Sequence, residues 1–294
     1  MENKDDLREN IERIAEENKF VREIMEKDYY LTKILHGIAE RQVKDLVFKG
    51  GTCLSKCYLD FYRLSEDLDF VYNKDIKDLS RSRVRKKLNE IKKEFFEILD
   101  KLEFKADKEL GKGWKMLTSK QKPGIVGLVI IASYISLIDN TEKEIKIEVS
   151  FRKKLRKPTG NKLIKHKFYD ALNEPLLKDD VKIEAIDLIE NFAEKFRALY
   201  TRKEIAVRDI YDINHILVNE IKALDKEVFD LIILKINETH KLSEEEFVEF
   251  IKKLKDKIDD YDVKELEVVL RADEKVDINK IIKRIENFFG ISHI

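Results

Sequence analysis

The sequence predicts an α+β protein, with a sheet and flanking helices in the first half of the chain and helices alone in the second. Three observations predict it. Between Leu46 and Tyr72 the pattern reads as strand, glycine turn, short helix and strand. Between residues 103 and 151, β-branched runs and strict alternation replace helical spacing. From about Val181 the apolar residues recur at helical spacing to the end of the chain. We place the division at residues 1–157 and 158–294.

The elements follow in order. Leu7, Ile11, Ile14 and Ala15 mark a helix over 5–19, and Val21, Ile24, Leu31, Ile34 and Ile38 mark a second over 21–40. His36 in that second helix reads as a packing residue. A strand over 46–48 leads through Gly50, Gly51 and Thr52 into a helix over 53–61, and Asp67–Tyr72 is the next strand. A long amphipathic helix spans about 80–102. Its polar face carries Arg81, Arg83, Arg85, Lys86 and Lys87, a solvated face or a contact for RNA.

Gly111, Gly113, Pro123 and Gly124 punctuate the strand region, where Trp114 reads as a packing residue. Val126–Leu137 is a long apolar strand. After the Asp139-Asn140 turn, Glu144–Phe151 alternates, with Lys146, Glu148 and Ser150 on one face and Ile145, Ile147, Val149 and Phe151 on the other. Arg152, Lys153, Lys154, Arg156 and Lys157 open a basic, irregular run to residue 168, a mobile loop or an interdomain connection. Thr201 with Glu204, and Ser243 with Glu246, have the capping-box form, so helices should start there. Asp259 to Asp262 reads as an acidic linker.

Composition bounds the function. The chain has 294 residues, 40% of them charged, against about 25% in soluble proteins generally. Basic and acidic residues balance at 59 each. The overall charge therefore gives no nucleic-acid footprint, and any basic patch must be local. Cys53 and Cys57 are the only cysteines and read as reduced, buried thiols. With no flanking His they cannot complete a zinc site. The polar N-terminus lacks a signal-peptide core, and no apolar run nears the roughly 20 residues that span a bilayer. A cytoplasmic protein with no membrane partner is expected.

The chemistry concentrates in LVFKGGTCLSKCYLDFYRLSEDLDFVY, residues 46–72. Glycine lets backbone approach a bulky anion, and a helix starting there aims unpaired N–H groups at it. Asp67 and Asp69 fall on one face of an extended strand. Two carboxylates beside a phosphate cradle can hold Mg²⁺ against a triphosphate.

Gly50, Gly51, Thr52, Leu54, Lys56, Arg63, Ser65, Asp67, Asp69 and Phe70 together resemble the nucleotidyltransferase superfamily, and within it the AbiEii toxins of type IV toxin–antitoxin pairs. Glu194, Lys195, Ala198, Leu199, Arg208, Asp209, Tyr211 and Asp212 match the second half of that family's pattern, so the resemblance spans residues 46–213. It implies a nucleotidyltransferase-type mixed sheet with a helical C-terminal domain closing the cleft. It implies Mg²⁺ or Mn²⁺ on Asp67, Asp69 and a third carboxylate, Glu148, where the family more often has Asp. It implies an NTP gripped by Gly50, Gly51, Thr52 and Lys56, with Ser65 either donating to phosphate or shaping the turn. Lys195 takes the family's catalytic position, and Asp209 binds the nucleotide or pairs with Arg208 or Lys195. Tyr211 and Asp212 read as structural. The resemblance further implies NMP transfer to a tRNA 3′ end, growth inhibition, and a cognate antitoxin. Transfer to a protein or small molecule, and a non-catalytic nucleotide-binding module, remain open alternatives.

Overall fold

The computed structural model describes residues 3–74, 79–118, 125–151, 155–221, 223–258 and 260–291. Asp75, Pro123, Gly124, the basic triplet Arg152, Lys153 and Lys154, and Asp259 lie outside the described residues.

Two helices open the chain, α1 (Lys4–Asn18) and α2 (Arg22–Arg41). Asn3 caps α1 by accepting from the Asp5 N–H, and both helices end on a left-handed residue, Lys19 and Gln42. Strand β1 (Leu46–Lys49) runs directly into a one-turn helix α3 (Gly50–Cys53) and a π turn, Leu54–Tyr58. The helix expected over 53–61 thus starts three residues earlier, at the glycines, and widens rather than continuing as an α-helix. Strand β2 (Asp67–Tyr72) and helix α4 (Arg81–Lys101) follow, then strands β3 (Trp114–Thr118), β4 (Ile125–Ile135) and β5 (Glu142–Ser150).

Two more strands, β6 (Gly160–Leu163) and β7 (Lys182–Ala185), come next. Alternation over four residues is too short a signal to stand out in a basic, irregular run. These strands lie in the stretch assigned from sequence to the helical part. The sheet therefore extends past residue 157.

The seven strands of the described residues form one mixed sheet in the order β3-β4-β5-β2-β1-β7-β6. β2 is antiparallel to β1 and parallel to β5, and β1 is parallel to β7. One face is apolar. Phe48, Phe70, Ile147 and Val149 lie there under Leu88, Ile91 and Phe95 of α4 and Leu31, Ile34 and Leu35 of α2. Phe95 meets Phe70 edge-on, ring centroids 5.9 Å apart. The basic helix α4 consequently packs on the face opposite Asp67 and Asp69, so its cations do not flank the carboxylates. Trp114 is buried in the same core and donates its indole N–H to the Lys108 carbonyl.

The helical half comprises α5 (Leu188–Thr201), α6 (Val207–Asn219), α7 (Lys226–Asn237), α8 (Glu244–Lys252), α9 (Asp260–Glu267) and α10 (Ile278–Phe288) around a core of Phe192, Phe196, Ile213, Ile232, Phe247 and Ile285. The Ser243–Glu246 capping box forms at α8. The one expected at Thr201 does not: Thr201 is the last residue of α5, and α6 begins only at Val207. Continuation of the α5 apolar stripe through Leu199 outweighs the local capping signal.

Lys56 is fully buried, its Nζ 2.8 Å from Asp28 Oδ2 and 2.8 Å from Thr32 Oγ1, both on α2. It ties the π turn to the helix beneath. Removing one partner of a buried ion pair leaves the other charge uncompensated. Lys56→Ala is therefore expected to cost about 3–5 kcal/mol, and Asp28→Leu/Lys56→Met to recover most of it. Urea unfolding of the three proteins measures both.

Candidate active site

The Gly50 turn is shaped by its neighbours. Gly50 has φ +78°, a left-handed conformation that disfavours any side chain. A Cβ there would stand 2.6 Å from Asp69 Oδ2, and one on Gly51 would stand 2.3 Å from an Arg63 terminal nitrogen. The two glycines thus let a carboxylate and a guanidinium lie against the backbone. Asn191 of α5 pins the turn from the other side. Its amide oxygen accepts from the Gly50 N–H at 3.3 Å, and its amide nitrogen donates to the Gly50 carbonyl at 3.2 Å.

Asp67 and Asp69 share the half-buried face of β2, alternating with buried Leu68 and Phe70. The parallel register sets Lys146 beside Asp67 and Glu148 beside Asp69. The expected third carboxylate is therefore on the neighbouring strand and the same face. Its side chain does not join the pair, because Glu148 Oε2 lies 3.1 Å from Lys146 Nζ. Like charge on two aspartates disfavours a third carboxylate, whereas the lysine attracts it. Among the described residues no three His, Cys, Asp or Glu side chains converge closely enough to hold a metal ion. The oxygen donors of Asp67 and Asp69 nevertheless suit a hard divalent cation, and Glu148 could join them only by leaving Lys146. Burial pushes the Asp67 carboxyl above the usual aspartate range and Asp69 adds to this, while Lys146, Lys27 and Arg208 act against it.

Lys195 and Asn191, four residues apart on α5, face the same way. Lys195 Nζ lies 2.8 Å from Asp209 Oδ1 and 2.6 Å from Asp212 Oδ2. Burial disfavours its charge, but Asp209 and Asp212 outweigh that and raise its pKa. It is a fixed cation and not a proton acceptor. Asp212 is wholly buried and receives Arg63 in a two-point pair, at 2.6 and 2.8 Å, as well as the Tyr62 hydroxyl at 2.5 Å. Its burial alone would raise its pKa; Arg63 and Lys195 instead hold it well below the usual carboxylate range. Asp209 also pairs with Arg202. Arg208 turns away from Asp209 and pairs with Glu66 at 3.0 Å.

The structure thus gathers Gly50, Gly51, Asp67, Asp69, Glu148, Lys195 and Asp209 around one turn and one sheet face. Ser65 is buried in the bend between Arg63 and Asp67. Thr52 is buried, and its hydroxyl donates to the Asp67 backbone carbonyl at 2.5 Å, so the side chain anchors β2 and does not face a phosphate. Lys56, expected on the triphosphate, is enclosed against α2 as described. Asn191, Lys146, Glu66 and Lys27 were not singled out from sequence. The i,i+4 spacing of Asn191 and Lys195 and the strand alternation that sets Lys146 beside Glu148 could have signalled two of them.

Gly50→Ala should lose about 1–2 kcal/mol through the left-handed backbone and displace Asp69, which calorimetry and a metal titration would read separately. The depressed Asp212 pKa has a definite sign. Its contribution to stability is present above the unfolded value of about 4 and is lost as pH falls below it. Acid unfolding that is unchanged in Asp212→Asn would contradict this.

Among the described residues no helix is long and apolar enough to cross a membrane. The model of the family "Nucleotidyl transferase AbiEii toxin, Type IV TA system" matches residues 34–283. No curated protein gives a significant match. Among solved structures, the chain is similar to MenT4, a nucleotidyltransferase toxin from Mycobacterium tuberculosis H37Rv. The identity is 19%, the TM-score 0.62, and 97% of this chain and 88% of that one are covered. It is also similar to JHP933 from Helicobacter pylori, at 14% identity and TM-score 0.50 over 92% of each chain. A putative nucleotidyltransferase from H. pylori gives 14% and 0.50, over 94% of this chain and 100% of that one. With a family match over most of its length on a sheet and helices of this arrangement, the chain belongs to the AbiEii family of NTP-using nucleotidyl transferase toxins of type IV toxin–antitoxin systems.

Proposed function

We propose that the protein moves a nucleoside monophosphate from an NTP to a tRNA 3′ end, with Mg²⁺ or Mn²⁺ held by Asp67, Asp69 and Glu148. The observation that carries this reading is the shared face of Asp67 and Asp69, with Glu148 in register beside Asp69 and Gly50 against its carboxylate. A divalent cation there supplies charge neutralisation for the phosphates and lowers the pKa of an attacking hydroxyl.

The chain's own residues do the rest. Gly50 and Gly51, fixed by Asn191, let Asp69 and Arg63 lie against the turn beside the path of the triphosphate. Lys195 has three donors; Asp209 and Asp212 take two, and the third is offered to a phosphate oxygen. Its permanent charge stabilises the negative charge that develops as the bond between the α- and β-phosphates breaks. Asp209 orients Lys195, with Arg202 as its second partner. The proton of the attacking hydroxyl goes to Asp69, or to Glu148 once it has left Lys146. Ser65 shapes the bend that delivers Asp67 or donates to a phosphate. The setting is the cytoplasm, where NTPs and tRNA both occur, and a cognate antitoxin opposes the activity.

Labelled NTPs supplied one at a time with total RNA and lysate test the reaction. Label should be released by nuclease; label that survives nuclease and is lost to protease would overturn the RNA acceptor. Chelation with EDTA should abolish transfer. Asp67→Ala and Asp69→Ala should each lower it on the order of 10³-fold or more, the scale of one charge acting on a transferring phosphoryl group, with melting temperatures near wild type. Activity retained in either variant would remove the metal assignment.

A further inference from the structure

The enclosure of Lys56 leaves the triphosphate without the cation expected for it. The face that must receive three phosphates carries Asp67, Asp69 and Glu148, and Lys146 is already paired with Glu148. Two further cations stand beside Asp67 on elements far apart in sequence. Lys27 comes from α2 and Arg208 from the first turn of α6. Both converge on one carboxylate, Glu66, at 3.5 Å and 3.0 Å. Glu66 is the residue immediately before Asp67. All three side chains are partly open to solvent, Lys27 at 20% and Glu66 and Arg208 at 34%. Lys27 and Arg208 also act through space on Asp67 itself.

We propose that Lys27 and Arg208 form the clamp for the β- and γ-phosphates of the incoming nucleoside triphosphate, and that Glu66 holds the clamp in shape as an internal substitute anion until the triphosphate displaces it. This rests on the nucleotidyltransferase reading of the site. The chemistry of the three groups fits. A guanidinium can bind a phosphate by two parallel hydrogen bonds, and an ammonium serves as a point charge. Ion pairs open to solvent in part are held less firmly than enclosed ones, so a polyanion with more charge and more acceptor oxygens can exchange for a single carboxylate. The arrangement places the clamp beside Asp67, next to Glu66, while Gly50 leans on Asp69. A triphosphate drawn along that face would run from the glycine turn past the paired aspartates to the two cations. Because Lys27 belongs to the N-terminal helices and Arg208 to the helical half, the bound phosphates would also bridge the two parts of the chain.

Equilibrium binding separates this from the wider reading. The probes are a non-hydrolysable NTP analogue with Mg²⁺, the matching nucleoside monophosphate, and inorganic tripolyphosphate. Lys27→Ala and Arg208→Ala should each weaken the analogue and tripolyphosphate about 10-fold and leave the monophosphate unchanged. Arg208→Lys should recover part of the loss. Glu66→Gln should tighten the analogue and tripolyphosphate several-fold by removing the competing anion. Analogue affinity unchanged in both cation variants, or analogue and monophosphate weakened equally, overturns the clamp while the nucleotidyltransferase site stands. A wild-type protein that binds no analogue overturns that site and the clamp with it. Melting temperatures of the exposed variants should stay near wild type, which distinguishes a lost contact from a lost fold.

Discussion

The pair Arg63–Asp212 is the joint on which the rest depends. Arg63 sits in the bend between the π turn and β2, and Asp212 sits on α6 in the helical half. Both are buried, and they meet through two hydrogen bonds. Taking these charges out of water is costly, and only near-ideal geometry with further partners offsets it. Those partners are Tyr62 and Lys195 on Asp212, and Asp209 on Lys195. Two cations and two carboxylates thereby compensate one another in a largely buried cluster, with Arg202 reaching Asp209 from its exposed side. The pair is weak evidence for net stability. It does specify geometry, because this placement of the two halves gives each of the four charges an opposite partner.

That geometry reaches the reactive face directly. The Arg63 guanidinium lies where a Gly51 side chain would be, and the Asp69 carboxylate lies where a Gly50 side chain would be. The turn is therefore a point where the buried ion network and the half-buried carboxylates touch the same two residues. Asn191 adds a third constraint from α5. Immediately before it on the same helix, buried Glu190 accepts the backbone N–H groups of Arg156 and Lys157 and pairs with Lys235. The segment that leaves β5 after Glu148 is tethered in this way to the helical half. The sheet's two faces divide the work. One is closed by α2 and α4 around Phe48, Phe70 and Phe95, and the other carries the charges.

Much of this was legible in the residues. The approximate bounds of α1, α2, β2 and α4 and the start of α8 follow from periodicity and capping, since each buries a whole stripe or satisfies its own terminus. The shared face of Asp67 and Asp69 needs only strand alternation. Other features could not be read this way. Lys56 falls within a motif that suggests phosphate contact, yet its partner Asp28 lies 28 residues away on another helix. Thr52 offers a hydroxyl beside two glycines, yet the Asp67 carbonyl claims it. The basic stripe of α4 looks suited to RNA, but the strand residues it covers point away from the carboxylates. β6 and β7 were hidden because four residues of alternation carry almost no signal amid charged loops.

The sequence by itself determined the glycine turn, the paired aspartates, the succession of helices and strands, and the family to which they belong. Each of these is a local pattern or a run of residues within one or two elements. Only the tertiary structure decided which charges meet. It enclosed Lys56, set Glu148 against Lys146, gave Asp212 to Arg63 and Lys195, and brought Lys27 and Arg208 to Glu66. Apart from Glu148 and Lys146, two residues apart on one strand, these pairs depend on distances of a few ångströms between elements far apart in the sequence. In a chain with 59 basic and 59 acidic residues, spacing along the sequence carries no information about those distances.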